Sequence, residues 1–99
     1  MPRTILMRPR ARVDLDAIWD HTVATWSQAQ AERYVSGLGA ALELLAEFPE
    51  TARLREEFSP PVRLHLYRAH FVVFTDDDTR IEVIRVLHAR SDWQRALGD

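Results

Sequence analysis

Apolar residues recur along this chain with two different periods, and the change of period marks out its elements. Thr4, Ile5, Leu6, Met7 and Arg8 are β-branched or apolar up to Pro9 and predict a short first strand. Proline suits the first turn of a helix, where its missing N–H is not needed. Ala11, Leu15, Ile18, Trp19, Thr22 and Trp26 then follow at helical spacing, inside a sector of about 80° at 100° per residue. They predict a helix with one narrow burying face; Asp14, Asp16 and Asp20 lie off it. Ser27-Gln28-Ala29-Gln30 has the form of a capping box, so a second helix starts there. Its stripe is Ala31, Tyr34, Val35, Leu38, Ala41, Leu42 and Leu45, and Pro49 ends it after Phe48. So short a join makes the two helices an antiparallel hairpin. Gly37 and Gly39 each cost that helix about 1 kcal/mol against alanine, either to admit a close neighbour or with no purpose on an exposed face.

Residues 50–61 are irregular and acidic, closing with Pro60-Pro61, and Leu54 and Phe58 are available to pin them. Beyond them the period falls to two. Val62, Leu64 and Leu66 alternate with Arg63, His65 and Tyr67; His70 to Thr75 is a second strand; Arg80 to His88 is a third, apolar on both faces. Ser91-Asp92-Trp93-Gln94 repeats the capping pattern and predicts a short last helix to about Leu97. The order β-α-α-β-β-β-α defines an α+β fold over residues 1–99 as one domain. Its N-terminal strand belongs to a mostly antiparallel four-stranded sheet, with the helix hairpin packed on one face. The opposite face is expected to stay available for another macromolecule.

Composition narrows the function classes. Apolar residues make up 46% and charged residues 28%, which suits a soluble globule and not a disordered or membrane-spanning chain. Without cysteine there is no disulfide scaffold, thiolate metal site or cysteine nucleophile. No membrane span or export signal is apparent, so the cytoplasm is the expected compartment. No glycine-rich phosphate loop occurs, and no cofactor is expected. All 13 basic residues are arginine, and they are unevenly placed: residues 1–13 carry four and no acid, whereas residues 14–57 carry nine acids and three arginines. A polarised chain with net charge −2 argues against direct, sequence-specific nucleic-acid binding.

The candidate chemistry lies on the sheet. His21, His65, His70 and His88 show no metal-ligand spacing, and no metal is expected. Arg63, Arg85 and His88 are the residues a phosphodiester-cleaving activity would use, two guanidinium groups to polarise the phosphate and an imidazole to transfer a proton. Alternation puts Arg85 with Ile81, Val83 and Leu87, and His88 with Glu82, Ile84 and Val86. Without a bulge the two do not converge. Their structural alternative is an acid paired with Arg85 and a hydrogen bond donated by His88. Trp93 is either a lid on the core or an exposed anchor for a partner.

Several stretches together resemble the ParE-type toxins of the ParE/RelE superfamily of type II toxin–antitoxin modules. They are the strand ending Arg8-Pro9, Asp14-Leu15-Asp16-Ala17-Ile18-Trp19, Trp26 with Ala29, Ala31 and Tyr34, Leu45 to Pro49, Pro61-Val62-Arg63, His70-Phe71-Val72-Val73-Phe74, and Arg85-Val86-Leu87-His88-Ala89-Arg90-Ser91-Asp92. The likeness runs over about residues 4–97, and the Arg85 to Asp92 ending is its most specific part. It implies a bacterial, cytoplasmic, growth-inhibiting toxin that stabilises a plasmid or chromosome. A ParD-like antitoxin would neutralise it, and its target would be DNA gyrase, inhibited by binding without catalysis. RelE-type relatives instead cut messenger RNA in the ribosome. The absence of lysine, the net acidity and the lack of a tyrosine after Tyr67 lean away from that alternative. The resemblance makes Arg85, Arg90 and Trp93 the target-binding candidates and His70, His88 and Asp92 further motif positions. The Arg68-Ala69 turn departs from the pattern, in which glycine is more common.

Overall fold

A computed structural model describes residues 2–98. Strand β1 (Thr4–Met7) leads into helix α1 (Pro9–Thr25), and α2 (Gln28–Glu47) folds back along it. A single 3-10 turn (Pro49–Thr51) precedes β2 (Leu54–Arg55), β3 (Val62–Tyr67), β4 (His70–Asp76), β5 (Arg80–His88) and α3 (Trp93–Gly98). The sheet runs β1-β5-β4-β3-β2, with β1 parallel to β5 and every other pairing antiparallel. It therefore has five strands, one more than the pattern predicts. The addition is the two-residue β2, with Leu54 opposite Arg63 and Arg55 opposite Val62, too short for any alternation to show.

Local signals explain where the helices start and stop. Pro9 opens α1 with no side-chain cap, and Ser27 caps α2 by accepting a hydrogen bond from the Gln30 N–H at 3.0 Å. The Gln30 side chain does not return the bond; its oxygen accepts from Arg33 instead. Ser91 likewise does not cap α3, because its hydroxyl donates back to the His88 carbonyl at 2.6 Å. The predicted stripe of α2 is the one that sinks, with Ala31, Leu38, Leu42 and Leu45 buried. On α1, Ala11 is buried and Leu15 and Ile18 half-buried against the same core, but Trp26 lies just beyond the helix and is 76% exposed. The α1 stripe thus ends one turn earlier than its spacing predicts.

The main core lies between the hairpin and the sheet, where Leu38, Leu42 and Leu45 meet Val72, Phe74, Ile81, Val83 and Val86. Burial of each such side chain contributes roughly 1.5–3 kcal/mol. Gly37 has a neighbour and Gly39 has none: a Cβ at Gly37 would overlap the Tyr67 hydroxyl, and nothing lies within 4 Å of one at Gly39. The opposite face of the sheet is less open than expected. Val62, Val73 and Leu87 form a second cluster there, covered by Phe58, Trp93 and Leu97. The Trp93 ring lies 4.9 Å from Phe71 and 6.2 Å from Phe58, with the Arg55 guanidinium 5.8 Å from its centroid. Trp93 is a lid. Leu66, 54% exposed, is what this face still offers to solvent.

A bulge in β5 changes the predicted facing of its side chains. Val83 pairs with Phe74 and Arg85 with Val73, which leaves Ile84 as the extra residue. Ile81, Val83 and Val86 consequently all face the helices, and Ile84 joins the opposite cluster. His88, opposite His70, lies on the helix side with Val83, not with Ile84 as strict alternation requires.

Candidate functional site

At the end of the sheet where β3 turns into β4, three elements bring their chemistry together. The tips of α1 and α2 and the Arg68-Ala69 turn enclose an open groove of about 540 Å³, bounded by Trp26, Tyr34, Arg68, His21, His70 and His88. The pairing of β4 with β5 sets His70 beside His88, ring centroids 5.1 Å apart and edge to face. Tyr34, near the N-terminal end of the α2 stripe, stands edge-on to both Tyr67 at 5.1 Å and His70 at 5.5 Å. The space that Gly37 leaves is what admits Tyr67 to this stack.

Hydrogen bonds tie these rings together. Burial, reinforced by Tyr67, pushes the Tyr34 hydroxyl up to about 12, so it stays protonated, and it is hydrogen-bonded with Nδ1 of His70. Burial, followed by the nearby His88, holds His70 below the ordinary histidine value. Nδ1 of His88 accepts the Arg90 backbone N–H at 3.0 Å. Nδ1 is thus engaged in both rings. Arg68 sits at a positive φ of 52°, its Nε donating to the Tyr67 hydroxyl at 3.3 Å.

The guanidinium groups singled out from sequence are held elsewhere. Arg85 is bidentate to Asp14 of α1 at 2.8 and 3.1 Å, and the same carboxylate accepts the Val86 backbone N–H at 2.9 Å. Those bonds, chiefly, raise the Arg85 pKa. Arg63 donates to Asp76 and to the Ala52 carbonyl, both at 2.7 Å, and ties the β2 segment to the sheet. Arg63 lies in the Phe74–Val83 row, and His88 is five residues farther along β5, about 16 Å at strand rise. Arg63, Arg85 and His88 are therefore not assembled into one site. Arg90 and Asp92 are exposed beyond the end of β5, whereas Trp93 faces the second cluster. Only His70 and His88 of the predicted positions line the groove. Trp26, Tyr34 and Arg68 were not expected to border a site. One available signal was His21, one helical turn from Ile18, which sets a polar ring beside the apolar stripe. Among the described residues no group of three or more histidine, aspartate or glutamate side chains is placed to hold a metal ion, and no helix is long and apolar enough to cross a membrane.

A first strand thus returns to pair in parallel with the last, beneath a helix hairpin. A solved structure titled as a chromosomal ParDE TA system from P. aeruginosa has this fold, with a TM-score of 0.73 at 24% identity over 87% of this chain and 95% of that one. Sequence takes the assignment further. The family model described as ParE toxin of type II toxin-antitoxin system, parDE, matches residues 5–93. Toxin ParE1 of Mycobacterium tuberculosis is 35% identical over 99 residues, covering 98% of this chain and all of the relative. Toxin ParE1 of Caulobacter vibrioides is 36% identical over 89 residues, covering 90% and 92%. The chain belongs to the ParE toxin family of type II toxin–antitoxin systems.

Proposed function

We propose that this toxin acts in the cytoplasm by binding DNA gyrase and stopping its cycle, and that a ParD-like antitoxin neutralises it. The observation that carries a binding mode is the state of Arg63 and Arg85. Both guanidinium groups are committed to carboxylates of the chain itself, with Asp76 and Asp14 at 2.7 and 2.8 Å. A phosphate could take both edges of either guanidinium only by displacing its carboxylate, leaving a partly buried acid unpaired at a cost of several kcal/mol. Family membership and the ParDE title of the solved relative support the antitoxin partner. Arg90 remains the target-contact candidate that the fold leaves exposed.

One preparation decides between binding and catalysis. Purified toxin is added to gyrase with relaxed plasmid, and separately to ribosomes with a defined message. Inhibited supercoiling or accumulated cleaved DNA, together with an intact message, is the expected result. Discrete message cuts that disappear in His88→Ala would instead establish the RelE-like nuclease.

A further inference from the structure

We infer that His88 is a proton-operated catch on the turn that carries the chain from β5 into α3, closed while its imidazole is neutral and open once it is charged. The geometry of one hydrogen bond leads there. The Arg90 backbone N–H is directed at Nδ1 of His88, 3.0 Å away. A backbone N–H only donates, so this nitrogen must offer a lone pair. An imidazolium has none to offer, because both of its ring nitrogens carry hydrogen. Protonation of His88 therefore breaks the bond.

The surroundings give the charged ring no reason to stay where it is. Beside it stands His70 of β4, ring centroids 5.1 Å apart. His21 comes from α1, Tyr34 from α2 and the Arg68 guanidinium from the β3–β4 turn, and none of the described residues bounding the groove is an aspartate or glutamate. Asp14 of α1 is already held by Arg85 and the Val86 N–H, and the Tyr67 hydroxyl of β3 is engaged with Tyr34 and Arg68. On its own segment Arg90 adds a like charge, and Asp92 lies exposed farther on. The two imidazoles compete for one proton, since His88 is, after burial, the chief group that lowers the pKa of His70. His88 is exposed, whereas His70 is half-buried and bonded with Tyr34, so water solvates the charge better at His88.

What the catch holds is local. The Ser91 N–H and hydroxyl both bond to the His88 carbonyl, at 2.9 and 2.6 Å, and the Ala89 N–H bonds to the Ala69 carbonyl at 2.8 Å. None of these bonds uses the imidazole, so they outlast its protonation and only the Arg90 amide is let go. Imidazoles change charge between about pH 5 and 8. Arg90, the exposed cation just beyond the sheet, is thus fixed at neutral pH and loosened in mild acid. The catch does not depend on gyrase being the target, so a negative supercoiling assay leaves it standing.

The test is a titration of ¹⁵N-labelled full-length protein from about pH 8 to 5, following the His88 ring nitrogens and the Arg90 amide. The Arg90 signal should move with the same midpoint as the His88 ring. Its hydrogen exchange, corrected for the intrinsic rate, should rise about tenfold across that midpoint, the loss expected for one hydrogen bond. His88→Asn places a side-chain oxygen that accepts the N–H two residues on and does not titrate. In that variant Arg90 should stay protected over the whole range, and the His70 midpoint should rise because a neighbouring positive charge is gone. His88→Ala should leave the Arg90 amide unprotected at every pH. An Arg90 amide indifferent to the His88 titration in the unaltered protein, or a His88→Asn variant that keeps the full pH dependence, would overturn the inference.

Discussion

Gly37 and Gly39 are two residues apart on one helix and differ in what they face. Alanine at Gly39 meets open space and should stabilise the protein by up to about 1 kcal/mol through helix propensity alone. Alanine at Gly37 gains the same propensity but must displace the Tyr67 hydroxyl, which is packed edge-on against Tyr34. Overpacking of that kind costs roughly 1–3 kcal/mol, so a net loss of about 1 kcal/mol is expected. Urea denaturation of the two variants side by side checks the contrast. Arg68→Gly makes the opposite trade: it should gain about 1 kcal/mol by the same assay, because the positive φ no longer carries a side chain. If it gains nothing, the contact of the guanidinium with the Tyr67 ring, at 5.7 Å, offsets the strain.

At the scale of the element, β5 holds most of what the sequence left unread. Beyond Val83 the strand has no β1 beside it, and Asp14 covers the gap by taking the Val86 N–H and the Arg85 guanidinium together. Sheet edges invite unwanted pairing, and this carboxylate blunts one. Asp14→Ala should cost about 2–3 kcal/mol, since it orphans a charge and a backbone donor, and Asp14→Asn should cost less because an acceptor remains. Denaturant midpoints for both variants, with hydrogen exchange at the Val86 amide, separate the two contributions.

The helix stripes were legible because burial on one face writes a 3.6-residue period into the sequence. The strands were legible for the equivalent reason. The bulge at Ile84 was not, because register belongs to two strands at once and β5 is apolar on both faces there. The same ambiguity hid the path of Arg85 to Asp14. The groove was hidden more deeply. Trp26 fits the α1 stripe by spacing and leaves it only because the helix stops at Thr25, and Arg68 looked like a turn residue because it is one.

Over the whole molecule, two histidines tie stability to pH. Burial lowers both His65 and His70 below the ordinary value of 6.5. The unfolded chain therefore binds protons first as pH falls, so their contribution to stability is complete above about 6.5 and declines below it toward their folded values. Urea midpoints should fall between neutral and mildly acidic pH, and the combined His65→Gln and His70→Gln variant should flatten that slope. The second cluster is the other molecule-wide test. Trp93→Ala should cost about 3 kcal/mol and free α3 from the sheet, which protease sensitivity at residues 93–98 would report.

The parallel pairing of residues 4–7 with residues 80–83 has a consequence for how the protein is made. A chain leaving the ribosome presents α1 and α2 early, with Leu38, Leu42 and Leu45 and no sheet for them to cover. Only when β5 emerges can the first strand find its neighbour, and only then does His88 come to stand beside His70. A product that stops short of β5 is thus left without its groove, with the apolar face of its helix hairpin uncovered.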